Sequence, residues 1–257
     1  MKRSMQWLAG LAVCCCLAYA GQASAGSATF IDNGTGSMTV NYVFPSQTSV
    51  TTCAGQDTCP LPTSQPDITT VVVEWTTNAA GQNVLTSIAL TSVVGGPMPW
   101  DSLFINSDYT GSISDLESWN YYVLTDFDGG HVVGTLPGDG VYEVAANYTY
   151  TTATTGRIGH ANGIDSADLN RLSSANIARL GSDEYGNQVL TYNFSSLTTQ
   201  IILGDNFAIG WTPYCANDVV LVAGSTSSVP EPATMALFGM GMTGLTGWQV
   251  RRVKNKK

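Results

Sequence analysis

Between residues 38 and 223, short runs rich in β-branched and aromatic residues recur at close intervals, and most are followed by glycine, asparagine, aspartate or proline. Such runs read as strands, at about 38–44, 68–76, 84–94, 119–125, 131–136, 140–151, 188–194, 197–203, 207–211 and 217–223. Turn chemistry separates them, as in Asn78-Ala-Ala-Gly81, Asp128-Gly-Gly130 and Gly204-Asp-Asn206. Alternation is clearest over 140–151, where Val141-Tyr-Glu-Val leads into Tyr148-Thr-Tyr150. The expected fold is mainly all-β: an antiparallel β-sandwich, with a jelly roll among its candidate topologies. One short helix is expected near 165–180. Asp165 would cap it, Leu169, Leu172, Ala175, Ile177 and Leu180 would form its apolar stripe, and Gly181 would stop it. The stretch 95–108 reads as an ordered loop.

Charge is scarce, at 11% of 257 residues, and it is unevenly placed. Lys2 and Arg3 open the chain, and Arg251, Arg252, Lys254, Lys256 and Lys257 close it. Between 26 and 228 only Arg157, Arg171 and Arg179 stand against eighteen carboxylates, a net charge of −15. Such a surface repels nucleic-acid phosphates, so nucleic acid is excluded as a partner.

Residues 1–25 have the form of a secretory signal peptide, read as an N-terminal signal helix. Lys2 and Arg3 are its charged start, 7–20 its apolar run, and Ala23-Ser24-Ala25 its small-x-small cleavage site before Gly26. The secretion translocase and signal peptidase are the implied partners. Cys14, Cys15 and Cys16 leave with this leader. In an oxidising compartment Cys53 and Cys59, which flank a short polar loop, are the simplest disulfide; pairing of Cys215 with either stays open.

The other end is more distinctive. Val229-Pro230-Glu231-Pro232 precedes an uncharged run over 233–250 and then the basic cluster. Eighteen helical residues span about 27 Å, close to the roughly 30 Å hydrocarbon core, which predicts a C-terminal transmembrane helix. The cluster after it would hold the C-terminus in the cytoplasm and the body outside. Gly239, Gly241 and Gly244 match a dinucleotide-binding string, but no βαβ pattern surrounds them. They mark instead a small-residue face on a membrane helix.

Val229, Pro230, Glu231 and Pro232, the glycine-rich apolar run and the closing Arg251-Arg252 cluster together resemble the PEP-CTERM sorting signal of Gram-negative bacteria, a tail also labelled the ice-binding protein C-terminal domain. The resemblance covers 229–257. It implies recognition of Pro230, Glu231 and Pro232 by an exosortase, a membrane cysteine protease-transpeptidase, with Arg251 and Arg252 as the stop signal. It implies a transient inner-membrane intermediate, then delivery to the cell surface or extracellular matrix of organisms that make exopolysaccharide and biofilm. The domain reading is 1–25 signal peptide, 26–224 β-sandwich body and 225–257 sorting and anchor segment.

The body offers weaker signals. Cys215 with His131 or His160 would make a nucleophile and base, but neither histidine has a recognisable context, and a structural cysteine is the simpler reading. Glu74, Glu117, Glu143, Asp183 and Glu184 supply carboxyls for a glycosidase pair, without a strand motif that sets two of them side by side. Asp126 and Asp128 before Gly129-Gly130 place two carboxylates as hard-cation loops do, and Asp165 and Asp168 follow His160 in a similar vein. A plain turn and a plain cap explain both, so no cofactor is expected beyond a structural calcium at Asp126 and Asp128. Trp75, Trp119, Tyr121 and Trp211, with Trp100 and Tyr122 as further members, would form a stacking platform for sugar rings, against the general tendency of strand aromatics to be core. Thr149, Thr151, Thr152, Thr154 and Thr155 form a single threonine run, not the repeated ladder that ice binding needs. The expectation is a non-enzymatic structural or carbohydrate-binding protein of the cell surface or biofilm matrix, with exopolysaccharide as a candidate partner. The alternative is a secreted carbohydrate-active hydrolase on the same scaffold.

Overall fold

The structure is a computed structural model describing residues 25–31, 38–39, 68–92, 101–112, 115, 117–125, 140–152, 161–173, 178–213 and 219–227. Fifteen strands follow in chain order: β1 (Ala25–Ile31), β2 (Met38–Thr39), β3 (Ile68–Thr77), β4 (Asn83–Ser92), β5 (Asp101–Asn106), β6 (Tyr121–Thr125), β7 (Gly140–Val144), β8 (Tyr150–Thr152), β9 (Ala161–Ile164), β10 (Leu169–Ser173), β11 (Ala178–Ser182), β12 (Gln188–Asn193), β13 (Ile202–Leu203), β14 (Asn206–Pro213) and β15 (Val220–Ser225). They pair antiparallel throughout. One sheet runs β1-β3-β4-β12-β11, with β13 also on β4; a second runs β10-β7-β6-β5-β14-β15-β2; and β8 and β9 form a separate ribbon. β1 and β11 end the path of the first sheet and β10 and β2 that of the second, so the consecutive pairs β1–β2 and β10–β11 are end strands of different sheets. The chain changes sheet at each of these places.

The longest hairpin shows how local chemistry sets register. β3 and β4 are rich in valine and threonine, which suit a pleated, half-buried surface. The Asn78 side-chain oxygen accepts from the backbone N–H of Ala80 at 2.9 Å and of Gln82 at 3.0 Å, closing the turn between them. The register slips between Glu74 and Trp75, where Thr86 is the extra residue on β4. This bulge moves Leu85, not Thr86, into phase with Ile88 and Leu90, and all three leucine and isoleucine side chains are fully buried.

One apolar cluster draws on both large sheets. Val71, Val73 and Trp75 of β3, Ile88 and Leu90 of β4 and Tyr192 of β12 meet Leu103 and Ile105 of β5, Val123 of β6 and Phe207, Ile209 and Trp211 of β14. Phe207 packs edge-on against Phe30 and Trp75, at ring separations of 6.3 and 5.9 Å. The Trp211 indole N–H donates to the Tyr192 hydroxyl at 3.1 Å, a buried bond from one sheet to the other.

The second sheet is buried on its other face as well. Phe104, Tyr122, Leu124, Tyr142, Ala208 and Leu221 point away from the first sheet into a second cluster, with Trp119 and with Ala161 and Ile164 of β9. Because alternate residues serve two clusters, β5, β6 and β14 are apolar without a solvent-facing rhythm.

Several expectations are corrected here. No α-helix occupies the described part of 165–180. Asp165 caps a single 3₁₀ turn, Ser166–Asp168, and Leu169–Ser173 then pairs with β7. Leu169 packs against the outer cluster and Leu172 against the inter-sheet one. A spacing of three puts residues on one face of a helix but on opposite faces of a strand, and two available clusters make the strand the better burial. The expected strand 140–151 breaks into β7 and β8 around a turn, the expected strand 197–203 shrinks to Ile202–Leu203, and the loop expected over 95–108 contains β5. The expected strand at 131–136, most of that at 38–44, the leader before Ala25 and the transmembrane helix over 233–250 lie outside the described residues. Among the described residues no helix is long and apolar enough to cross a membrane.

Candidate functional site

Trp75, Trp119, Tyr121 and Trp211 do not come together as a platform. Trp75 and Trp211 belong to the inter-sheet core, at 6% and 1% exposure, and Trp119 belongs to the outer cluster at 3%. Tyr121 is half-buried against the inter-sheet core, and burial first, then the Glu143 charge, raises its pKa. Three indoles that face the interior cannot stack on a sugar ring, so this part of the sequence reading is overturned by burial. Trp100, Asp126, Asp128, Cys53, Cys59, Cys215, His131 and His160 lie outside the described residues.

Among the described residues, a polar network of tyrosines and Glu117 closes the outer cluster instead. Tyr148 and Tyr150 stand edge to face, ring centres 5.2 Å apart. The Trp119 indole N–H donates to the Tyr150 hydroxyl at 2.7 Å, and that hydroxyl donates to the Glu117 carboxylate at 3.2 Å. The Tyr148 hydroxyl donates to the Glu117 backbone carbonyl and lies 3.2 Å from that of Tyr150. Burial is the main reason that the Tyr148 pKa is pushed up to about 12, with the Glu117 charge adding to it. The Tyr150 pKa is raised further, again mainly by burial, then by Tyr148 and Glu117. Both phenols therefore stay protonated at physiological pH. They act as hydrogen-bond donors, not as bases or nucleophiles.

Beneath the ribbon a second network fixes β9 to the sheet. The Ser102 hydroxyl donates to the Asn162 backbone carbonyl at 2.7 Å and lies 2.7 Å from the Tyr122 hydroxyl, and Thr151 donates to the Asn162 side-chain oxygen at 3.1 Å. Gly163 permits this approach, since a Cβ there would lie 2.8 Å from Thr151 Oγ1 and 2.9 Å from the Tyr122 hydroxyl. Ser102 is buried with its proton committed, a structural role.

The carboxylates singled out for hydrolysis are spread over separate elements, except that Asp183 and Glu184 are adjacent in the β11–β12 turn. Glu74 on β3 accepts from Ser87 at 2.5 Å, Glu117 joins the tyrosine network, and Glu143 is exposed on β7. Asp183 shapes the β11–β12 turn, accepting from Tyr185 N–H, Asn187 N–H and the Asn187 amide. The Asn187 amide is the chief cause of its lowered pKa, with the backbone donors adding to it. Asp165 caps local backbone, accepting from Ala167 N–H, and Asp168 accepts from the distant Thr149 N–H just before β8. Among the described residues no three histidine, cysteine or acidic side chains are grouped to hold a metal ion.

The Tyr148–Tyr150–Glu117 network has no signature in the sequence. Tyr148-Thr-Tyr150 reads as plain strand alternation, and only the fold brings Glu117 beneath it.

A family model for the PEP-CTERM protein-sorting motif matches residues 228–252. Neither the curated proteins nor the solved structures contain a match to the chain. The chain is thus a mainly antiparallel β protein whose C-terminal segment carries a PEP-CTERM protein-sorting motif. That motif implies export, a membrane-anchored intermediate and recognition by an exosortase.

Proposed function

We propose that this chain is a cell-surface or extracellular-matrix protein of a biofilm-forming bacterium, in which a β-sandwich body plays a non-enzymatic structural or carbohydrate-binding role. The leader over 1–25 is cleaved after Ala25, the apolar run over 233–250 spans the inner membrane in transit, and an exosortase acts on the Pro230-Glu231-Pro232 end. The observation that carries the reading is the sorting motif over 228–252 attached to a body whose described tryptophans, Trp75, Trp119 and Trp211, are packed in its interior. The inter-sheet cluster, fed by both large sheets, supports the sandwich architecture. Exopolysaccharide remains the proposed partner, met through surfaces other than Trp75, Trp119 and Trp211. Structural calcium at Asp126 and Asp128 belongs to the same proposal; no other cofactor is required.

The alternative, a carbohydrate-active hydrolase, separates cleanly by experiment. The full-length chain, exported and purified, is mixed with the producing organism's insoluble matrix polysaccharide, with calcium and with chelator. Co-sedimentation without release of new reducing ends supports the binding role. Reducing ends that grow with protein and time would establish the hydrolase, and failure to co-sediment in both buffers would remove polysaccharide as a partner.

A further inference from the structure

β15 leads the chain directly to the sorting signal. Its last residue is Ser225, the compact body ends at Thr226, and the motif begins at residue 228. Thr226 is buried, at 5% exposure, and is bonded to the turn between β13 and β14. Its N–H donates to the Asp205 carbonyl at 2.9 Å, and its hydroxyl donates to the Gly204 carbonyl at 2.7 Å. The neighbouring Ser225 hydroxyl also donates to the Asp205 carbonyl, at 2.8 Å. The turn is itself held down. Gly204 N–H donates to the Ser107 carbonyl at 2.7 Å, and a Cβ at Gly204 would lie 2.9 Å from Asp108 Oδ1. The acceptors that Thr226 uses are therefore fixed against the residues that follow β5.

Little chain remains before the recognition residues. Only Ser227, Ser228 and Val229 stand between Thr226 and Pro230, and four residue steps span at most about 14 Å. A body of about 200 residues has a radius of gyration of about 16 Å, so this tether is shorter than the body's own radius. An enzyme that binds a peptide as extended chain needs free backbone to pair with and side chains to seat. One that grips four residues ahead of Pro230 must take Thr226 as well.

We infer that Thr226 is a positioning residue for the exosortase step: while bonded to Gly204 and Asp205 it is withheld from the enzyme, and the tail is cut in the fraction of molecules in which Thr226 has left the turn. The inference rests on the exosortase reading proposed above. When such local opening is faster than cutting, the cutting rate follows the open population. A cut at Pro230-Glu231-Pro232 leaves the β14–β15 pairs, which end at Ser225, in place.

The test follows loss of the tail from the full-length chain by pulse-chase in the producing organism. Thr226→Val removes the hydroxyl at nearly constant shape, and Thr226→Ser keeps it. A Gly-Ser-Gly-Ser insertion between Ser227 and Ser228 lengthens the tether and leaves the clamp alone. Thr226→Val is expected to lose its tail about two- to tenfold faster than the wild type, the effect of one hydrogen bond on the open population. Thr226→Ser should stay close to the wild-type rate. The insertion should be at least as fast as Thr226→Val, and combining the two should add nothing, whereas a general loosening of the fold would add. Wild-type rates in both Thr226→Val and the insertion would overturn the clamp while leaving the exosortase reading intact, and so would a further acceleration on combining them. A wild type that keeps its tail, or loses it equally fast with Pro230, Glu231 and Pro232 changed to alanine, would overturn the exosortase reading and the clamp with it.

Discussion

Replacing Trp211 by alanine separates a core residue from a binding residue. The indole lies at 1% exposure in the inter-sheet cluster, and its N–H donates across the sheets to the Tyr192 hydroxyl. Truncation of a buried tryptophan to alanine costs about 3–5 kcal/mol through lost transfer energy and the cavity left behind. The lost cross-sheet bond adds on the order of 1 kcal/mol. For a domain of this size each kcal/mol shifts the thermal midpoint by about 2–4 °C, so the expected fall is roughly 8–24 °C. The assay is thermal unfolding of the exported full-length chain followed by circular dichroism at the β-sheet band. Tyr185→Ala is the control, because Tyr185 is 81% exposed and its loss should stay within about 0.5 kcal/mol. A Trp211→Ala midpoint within a degree or two of wild type would refute the placement of this indole in a packed core.

Other consequences follow from the same geometry. Gly26→Val should detach β1, because even a Cβ at Gly26 would overlap the Trp75 indole; faster amide exchange in β1 and in β3 opposite it is the readout, and unchanged exchange would contradict the packing. Tyr148 ionises at a higher pH in the folded chain than the ordinary 10, near 12. Its stabilising contribution is therefore complete below pH 10 and is lost as pH rises toward 12, so alkaline unfolding in that window should flatten in Tyr148→Phe. The Asp183 carboxyl, held low by Asn187, should titrate below 3.8 by carbon-detected NMR and move back toward 3.8 in Asn187→Ala. Its depressed pKa means that the turn is fully tied above 3.8 and loosens only as pH falls through the lowered value.

Most of the strand pattern was legible in the sequence, including β6 and β14, which are buried on both faces, but β5 was not. β3 and β4 announced themselves through Val71-Val72-Val73 and the threonines around them, to within a residue or two of their ends. β5 hid within a stretch that reads as a loop, since Ser102-Leu-Phe-Ile-Asn106 is buried throughout and shows no alternation. The stripe from Leu169 to Leu180 matched a helical spacing by coincidence, because Leu169 and Leu172 serve clusters on opposite sides of a sheet. The tryptophans misled for a related reason. A sequence shows that Trp119 and Trp211 are aromatic and near turns, but only packing shows that they point into two different interiors. The sorting signal was legible in full because it depends on order along the chain and not on tertiary contact: Pro230-Glu231-Pro232, an uncharged run, then Arg251-Arg252.

The most direct test is the fate of the tail. The full-length chain and a variant with Pro230, Glu231 and Pro232 changed to alanine are expressed in the producing organism, and cell-surface, matrix and inner-membrane fractions are probed with an antibody to the body. The wild type should reach the surface or matrix, and the variant should accumulate in the inner membrane with its tail attached. Equal delivery of both to the surface would contradict the account.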